Sequence, residues 1–112
     1  MAETDGLTGL YNRVYLEKIV SSEIAAGNIG TLFMTDLDNF KSVNDLYGHS
    51  TGDAVLIAYG EHLINCFKDT DASVCRLGGD EFTVYVKNDT DRVTMAEYAG
   101  KIISGLSDKM SR

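Results

Sequence analysis

The chain has 112 residues, 44% of them hydrophobic, and a formal net charge of −7 from 17 acidic and 10 basic side chains. That composition suits one domain with a single core and is not that of a disordered chain. The negative charge argues against a general nucleic-acid binder, which would carry a basic face, and against electrostatic docking to anionic lipid.

An acidic protein can still hold a phosphorylated ligand, provided a cation bridges the like charges. The polar start, Met1-Ala2-Glu3-Thr4-Asp5, does not read as a signal peptide, and no apolar run approaches the roughly 20 residues of a membrane span. The expected compartment is the cytoplasm, with no membrane contact by this chain. Cys66 and Cys75 lack zinc-site spacing and are expected as buried, reduced thiols.

The elements read in chain order as follows. Asn12 to Ala26 reads as a helix from Val14, Leu16, Ile19, Val20 and Ile24, with Gly27 as its stop. Thr31 to Asp36 reads as a strand. Its nearly continuous apolar run, Leu32, Phe33, Met34 and then Leu37, suggests a central strand covered on both faces. A short helix from Phe40 to Tyr47 ends at Gly48. A longer one is expected over Asp53 to Phe67, capped by Thr51. Ser73 to Leu77 and Phe82 to Val86 form a hairpin around Gly78-Gly79-Asp80-Glu81, and Asp91 to Leu106 forms a last helix.

After the leading helix the order is strand, helix, strand, strand, helix. This is an α/β (α+β) arrangement, an antiparallel sheet flanked by helices, matching a split βαβ, ferredoxin-like unit without its final strand. The reading is therefore one partial domain over residues 1–112, truncated at its C-terminal end.

Two acidic loops carry the chemistry. Asp36-Leu37-Asp38-Asn39-Phe40-Lys41 leaves the first strand, and the hairpin tip holds Asp80 and Glu81. In a split βαβ sheet these ends meet, bringing Asp36 near Asp80 or Glu81. Carboxylates that converge repel one another unless a hard cation relieves them, and oxygen ligands suit magnesium or manganese. Side chains alternate along a strand, so Asp80 and Glu81 are expected to point in roughly opposite directions. Gly78 and Gly79 can take positive φ and let a ligand approach the backbone. Backbone N–H groups from Asn39 to Lys41 suit phosphate, and Lys41 adds a point charge. Asn44, Asp45, His49 and Asp53 form a third group; an Asn and an Asp together can read a guanine edge.

These residues carry a family likeness. Gly78-Gly79-Asp80-Glu81-Phe82, preceded by Arg76-Leu77, resembles the signature of the GGDEF domain, the catalytic domain of bacterial diguanylate cyclases. Asp5-Gly6-Leu7-Thr8-Gly9-Leu10-Tyr11-Asn12-Arg13 is similar to the family's opening segment, with Gly6 where proline is usual. Asp36 to Lys41, and Asn44-Asp45 with His49 and Gly52-Asp53, match its two middle motifs. The likeness spans residues 5 to 107.

The resemblance implies a palm-type nucleotidyl cyclase fold that condenses two GTP into cyclic di-GMP as a homodimer. It implies Mg2+ (or Mn2+), two per site, held by Asp36, the Leu37 carbonyl and Asp80. It casts Asp80 as proton acceptor, Glu81 as an acidic helper and Lys41 as support for the transferring phosphoryl group. It assigns nucleotide binding to Asn39, Phe40, Asn44, His49, Asp53, Gly78 and Gly79. Sensor or phosphodiesterase domains would accompany such a domain in its parent protein. The family's inhibitory product site, Arg-x-x-Asp, falls here on Asp69-Thr70-Asp71-Ala72 and lacks both key residues, so feedback inhibition through it is not expected. A non-catalytic GTP-sensing regulatory domain is the alternative, and a related palm-type domain that prefers ATP is a third reading.

Overall fold

The computed structural model describes residues 2–37, 40–87 and 91–110, with side chains up to residue 103. Seven elements follow in the expected order: α1 (Arg13–Ala25), β1 (Gly30–Asp36), α2 (Phe40–Tyr47), α3 (His49–Cys66), β2 (Ser73–Gly78), β3 (Glu81–Lys87) and α4 (Arg92–Met110). The three strands form an antiparallel sheet in the order β1-β3-β2.

Local chemistry explains the boundaries. The Asn12 side chain caps α1 by accepting from the Tyr15 N–H. Asp91 precedes α4 and accepts from both the N–H and the hydroxyl of Thr94, at 2.9 and 2.7 Å. These hydrogen bonds, side chain first, hold the Asp91 carboxyl below its ordinary pKa. Between α2 and α3 a single glycine does two jobs. The Gly48 N–H donates to the Asn44 carbonyl, and Gly48, at φ 89°, then starts α3 as its N-cap.

That turn corrects the expected start of α3. The helix begins at His49, so Thr51 lies inside it and caps nothing, and Asp53 sits a full turn further in than expected.

The core lies between the sheet and α3, with α4 alongside. Val74, Phe82, Val84 and Val86 from β2 and β3 pack against Leu56, Tyr59, Leu63 and Phe67 of α3, joined by Leu10, Leu37 and Ile102. Tyr59 meets Phe82 edge-on at 4.9 Å, and Phe67 stacks on Tyr98 at 4.7 Å. The other sheet face is covered by α1 only over β2 and β3, where Leu16 packs with Cys75 and Tyr85.

The reading of β1 as central and doubly covered is therefore corrected. Among the described residues β3 is central and β1 is an edge strand. Phe33 and Thr35 face α3, whereas Leu32 and Met34, outside the reach of α1, are 47% and 71% exposed. Both cysteines are free; Cys75 is fully buried, but Cys66 is only half-buried, at the end of α3.

Candidate functional site

Strand register decides which acidic groups meet. In β1–β3 pairing, Thr35 lies opposite Phe82 and Asp36 opposite Glu81. Phe82 is wholly buried, which locks this register, because a slip of one residue would expose it. Asp36 and Glu81 are consequently a cross-strand pair of exposed like charges on the same face.

The hairpin tip is tighter than the sequence suggested. β2 runs to Gly78 and β3 starts at Glu81, so only Gly79 and Asp80 form the turn, with a register shift between Arg76 and Gly78. Gly78 and Gly79 have φ of 149° and 51°, and a Cβ on either would meet nothing within 4 Å. Conformation, not space, requires glycine at both. Glu81 is thus a strand residue directly across from Asp36, while Asp80 is a half-buried turn residue one position away.

The turn is also anchored from far away in sequence. Arg76 Nη1 donates to both carboxylate oxygens of Asp5, at 3.0 and 3.1 Å, and its Nε donates to the Gly79 carbonyl at 3.0 Å. Asp5 additionally accepts from the Thr8 N–H and hydroxyl. Partial burial would raise the Asp5 carboxyl, but the Thr8 hydrogen bonds, then the Arg76 hydrogen bond and charge, outweigh it and hold the pKa below its ordinary value. In the sequence Asp5 and Arg76 belong to two separate motifs, and no local pattern connects them.

Beside the Asp36–Glu81 pair lies a depression of about 340 Å3 bordered also by Met34, Leu77 and Thr83. The Thr83 hydroxyl is buried there and has no hydrogen-bond partner among the described residues. Beneath Asp36, on the opposite face, the Tyr59 hydroxyl donates to Thr35 Oγ1 at 2.7 Å. Burial chiefly raises the Tyr59 pKa, partly offset by this bond and reinforced by the charge of Asp36.

At the same sheet end, Leu37 drops its side chain into the core, 5% exposed, which fixes the backbone just after Asp36. Asp38 and Asn39 lie outside the described residues. Phe40 opens α2 and packs its ring against the core, while Lys41 is exposed. Asn44 faces α3 and lies against Gly52; His49 and Asp53 are exposed in the first turns of α3. The described residues contain no group of three or more His, Cys, Asp or Glu side chains arranged to hold a metal. The oxygen donors at hand are Asp36 and Glu81, with the Leu37 carbonyl and Asp80 next to them in sequence.

The stretch Asp69 to Ala72 lies elsewhere, after α3. Asp69 is exposed, and Ala72 packs on the core beside a depression of about 380 Å3 shared with Tyr11, Phe67 and Lys68. No helix among the described residues is long and apolar enough to cross a membrane.

The sequence model of the family described as "Diguanylate cyclase, GGDEF domain" matches residues 2–112. The chain belongs to the GGDEF domain family. Curated relatives of this GGDEF domain include the diguanylate cyclase DgcS of Shewanella oneidensis, 41% identical over 74% of this chain and 29% of that protein. The cyclic di-GMP phosphodiesterase PdeR of Escherichia coli is 38% identical over 95% of this chain and 16% of that protein. A crystal structure of a sensory box/GGDEF family protein from Caulobacter crescentus superposes with a TM-score of 0.78 at 38% identity, covering 92% of this chain and 69% of the other. The GGDEF domain described here therefore spans less than a third of these curated relatives' length.

Proposed function

We propose that this GGDEF domain is one half-site of a diguanylate cyclase. It would bind GTP and, facing a second copy, join two GTP molecules into cyclic di-GMP. The observation that carries the reading is the Asp36–Glu81 carboxylate pair at a sheet edge, next to the Gly79-Asp80 turn, with Asp36 shortly before α2 in the chain, the helix that bears Asn44 and packs on α3.

Two exposed carboxylates opposite each other, with oxygen donors only, fit a hard divalent cation. Asp36, the Leu37 carbonyl and Asp80 would hold Mg2+, or Mn2+, two ions per site, with Glu81 beside them. When bound, the metal neutralises phosphate charge and lowers the pKa of the attacking hydroxyl.

This chain's own residues would do the rest. Asp80 accepts the proton of the 3′-hydroxyl. That oxygen then forms a bond to the α-phosphorus of the second GTP, the bond to the β-phosphate oxygen breaks, and pyrophosphate leaves; the same step in the other direction closes the ring. Lys41 and the backbone around Asn39 and Phe40 support the phosphates, Gly78 and Gly79 let the nucleotide approach the turn, and Asn44 and Asp53 hold guanine with His49 nearby. Positioning and charge supply most of the acceleration. The partners are GTP and a second copy of the domain, with sensor or phosphodiesterase domains in the parent protein. Asp69 cannot supply the arginine of the product site and Ala72 cannot supply its carboxylate, so cyclic di-GMP should not inhibit through that stretch. Calorimetric binding of cyclic di-GMP that disappears in Asp69→Ala would overturn this.

A relative named as a phosphodiesterase favours a second reading, a GTP-sensing regulatory domain. Incubating the chain at high concentration with Mg2+ and GTP, and identifying products by mass, separates the two. Cyclic di-GMP that vanishes in Asp80→Asn supports the cyclase. GTP binding without product, by this chain and by its parent protein alike, supports the sensor.

A further inference from the structure

Gly52 stands in the first turn of α3, where glycine is a poor helix former, and it is buried against α2. A Cβ built there would overlap Asn44 Oδ1, and would lie 2.9 Å from Asn44 Cγ and 3.4 Å from Phe40 Cζ. All three are side-chain atoms. A methyl group at position 52 would therefore displace the Asn44 amide rather than part the two helices.

The Asn44 backbone is fixed independently, because its carbonyl accepts the Gly48 N–H that closes the α2–α3 turn. Its side-chain amide has no hydrogen-bond partner among the described residues. Among the described residues it is oriented by shape, with the bare surface of Gly52 on one side and the Phe40 ring close by.

We propose that Gly52 is the positioning residue for Asn44, and through it sets the preference of the site for guanine. This rests on the reading above, that Asn44 contacts the base. Glycine here is a specificity device, since alanine would make the better helix but would swing the amide away from the position in which it meets the ligand.

The test measures equilibrium binding of GTP and of ATP to the wild-type chain, Gly52→Ala, Asn44→Ala and the double variant. The side-chain amide resonance of Asn44 is followed in Gly52→Ala without nucleotide. The expected result is a loss of GTP-over-ATP preference of about tenfold in each single variant, the value of one hydrogen bond. The double variant loses no more, and the Asn44 amide resonance shifts. Gly52→Ala that keeps its preference while Asn44→Ala loses it overturns the role of Gly52 and leaves guanine reading by Asn44 intact. Asn44→Ala that keeps its preference overturns that reading, and the Gly52 inference with it.

If Gly52→Ala folds poorly, urea unfolding of the double variant decides. Recovery of the wild-type midpoint, as the methyl fills the space the amide left, supports the proposal. A double variant as unstable as the single one overturns it, since the glycine would then serve backbone packing.

Discussion

Arg76 joins two segments 71 positions apart: one guanidinium nitrogen reaches both oxygens of Asp5, and another reaches the carbonyl of Gly79 in the hairpin turn. Both side chains are largely buried, at 14% and 18% exposed. Asp5→Asn should cost about 1–2 kcal/mol, as expected for a charge-assisted hydrogen-bond pair at the surface edge. A double-mutant cycle with Arg76→Lys, read by urea unfolding, should show coupling between the two; additive effects would mean the contact contributes nothing.

The same pair sets an acid limb. The Asp5 pKa in the folded state lies below its ordinary value of 3.8. The carboxylate therefore binds fewer protons folded than unfolded near that pH, and contributes stability that is complete well above pH 4. It is lost as pH falls through the folded pKa. The slope of stability against pH between about 4 and 2 should flatten in Asp5→Asn. An unchanged slope would assign the acid sensitivity to other carboxylates.

The Asp36–Glu81 pair predicts opposite responses with and without metal. Like charges directly across a ladder cost roughly 0.2–1 kcal/mol. Glu81→Gln should therefore raise the melting temperature of the metal-free domain by up to a few degrees, and reduce the further rise caused by Mg2+. A lower melting temperature in the absence of metal would show that the pair is already compensated.

Burial pushes the Cys75 thiol up to about 11. Since the thiolate is the reactive form, Cys75 in the native chain should resist iodoacetamide at pH 8 while half-buried Cys66 is alkylated. Mass analysis of the modified peptides gives the answer, and alkylation of both at similar rates would refute it.

Met34 at 71% and Leu32 at 47% exposure form an apolar strip on an edge strand. Met34→Gln should change stability by less than about 0.5 kcal/mol and lower self-association in light scattering. A large loss of stability would mean that the strip is covered.

How much of this was legible in the sequence depends on the range of the interaction. Short-range signals were sufficient for element order, for α2 from Phe40 to Tyr47, and for the positive φ of Gly78 and Gly79, since periodicity and glycine placement act within a few residues. The start of α3 was misjudged because Thr51 looked like a cap, whereas Gly48 takes that position with no side chain at all. An apolar run in β1 cannot say which of its faces finds a partner, so Met34 looked buried and is not. Within the candidate site, the meeting of strand end and hairpin was legible from topology. That Glu81 is the residue directly across from Asp36 required the register, and the roles of Arg76 and Gly52 depend on contacts no local pattern encodes.

The position of β1 has a kinetic consequence. The β2–β3 hairpin closes a two-residue turn and can form early, whereas β1 must return to β3 across the whole of α2 and α3. Contacts of that sequence separation carry a high loop-closure cost. Asp36 and Glu81 face one another only once that closure is complete, so the carboxylate pair has no precursor in any state where β1 is undocked. A ligand held by both strands would slow the opening of β1 before any other part of the sheet. Amide exchange along Gly30 to Asp36 would then serve as a direct gauge of occupancy.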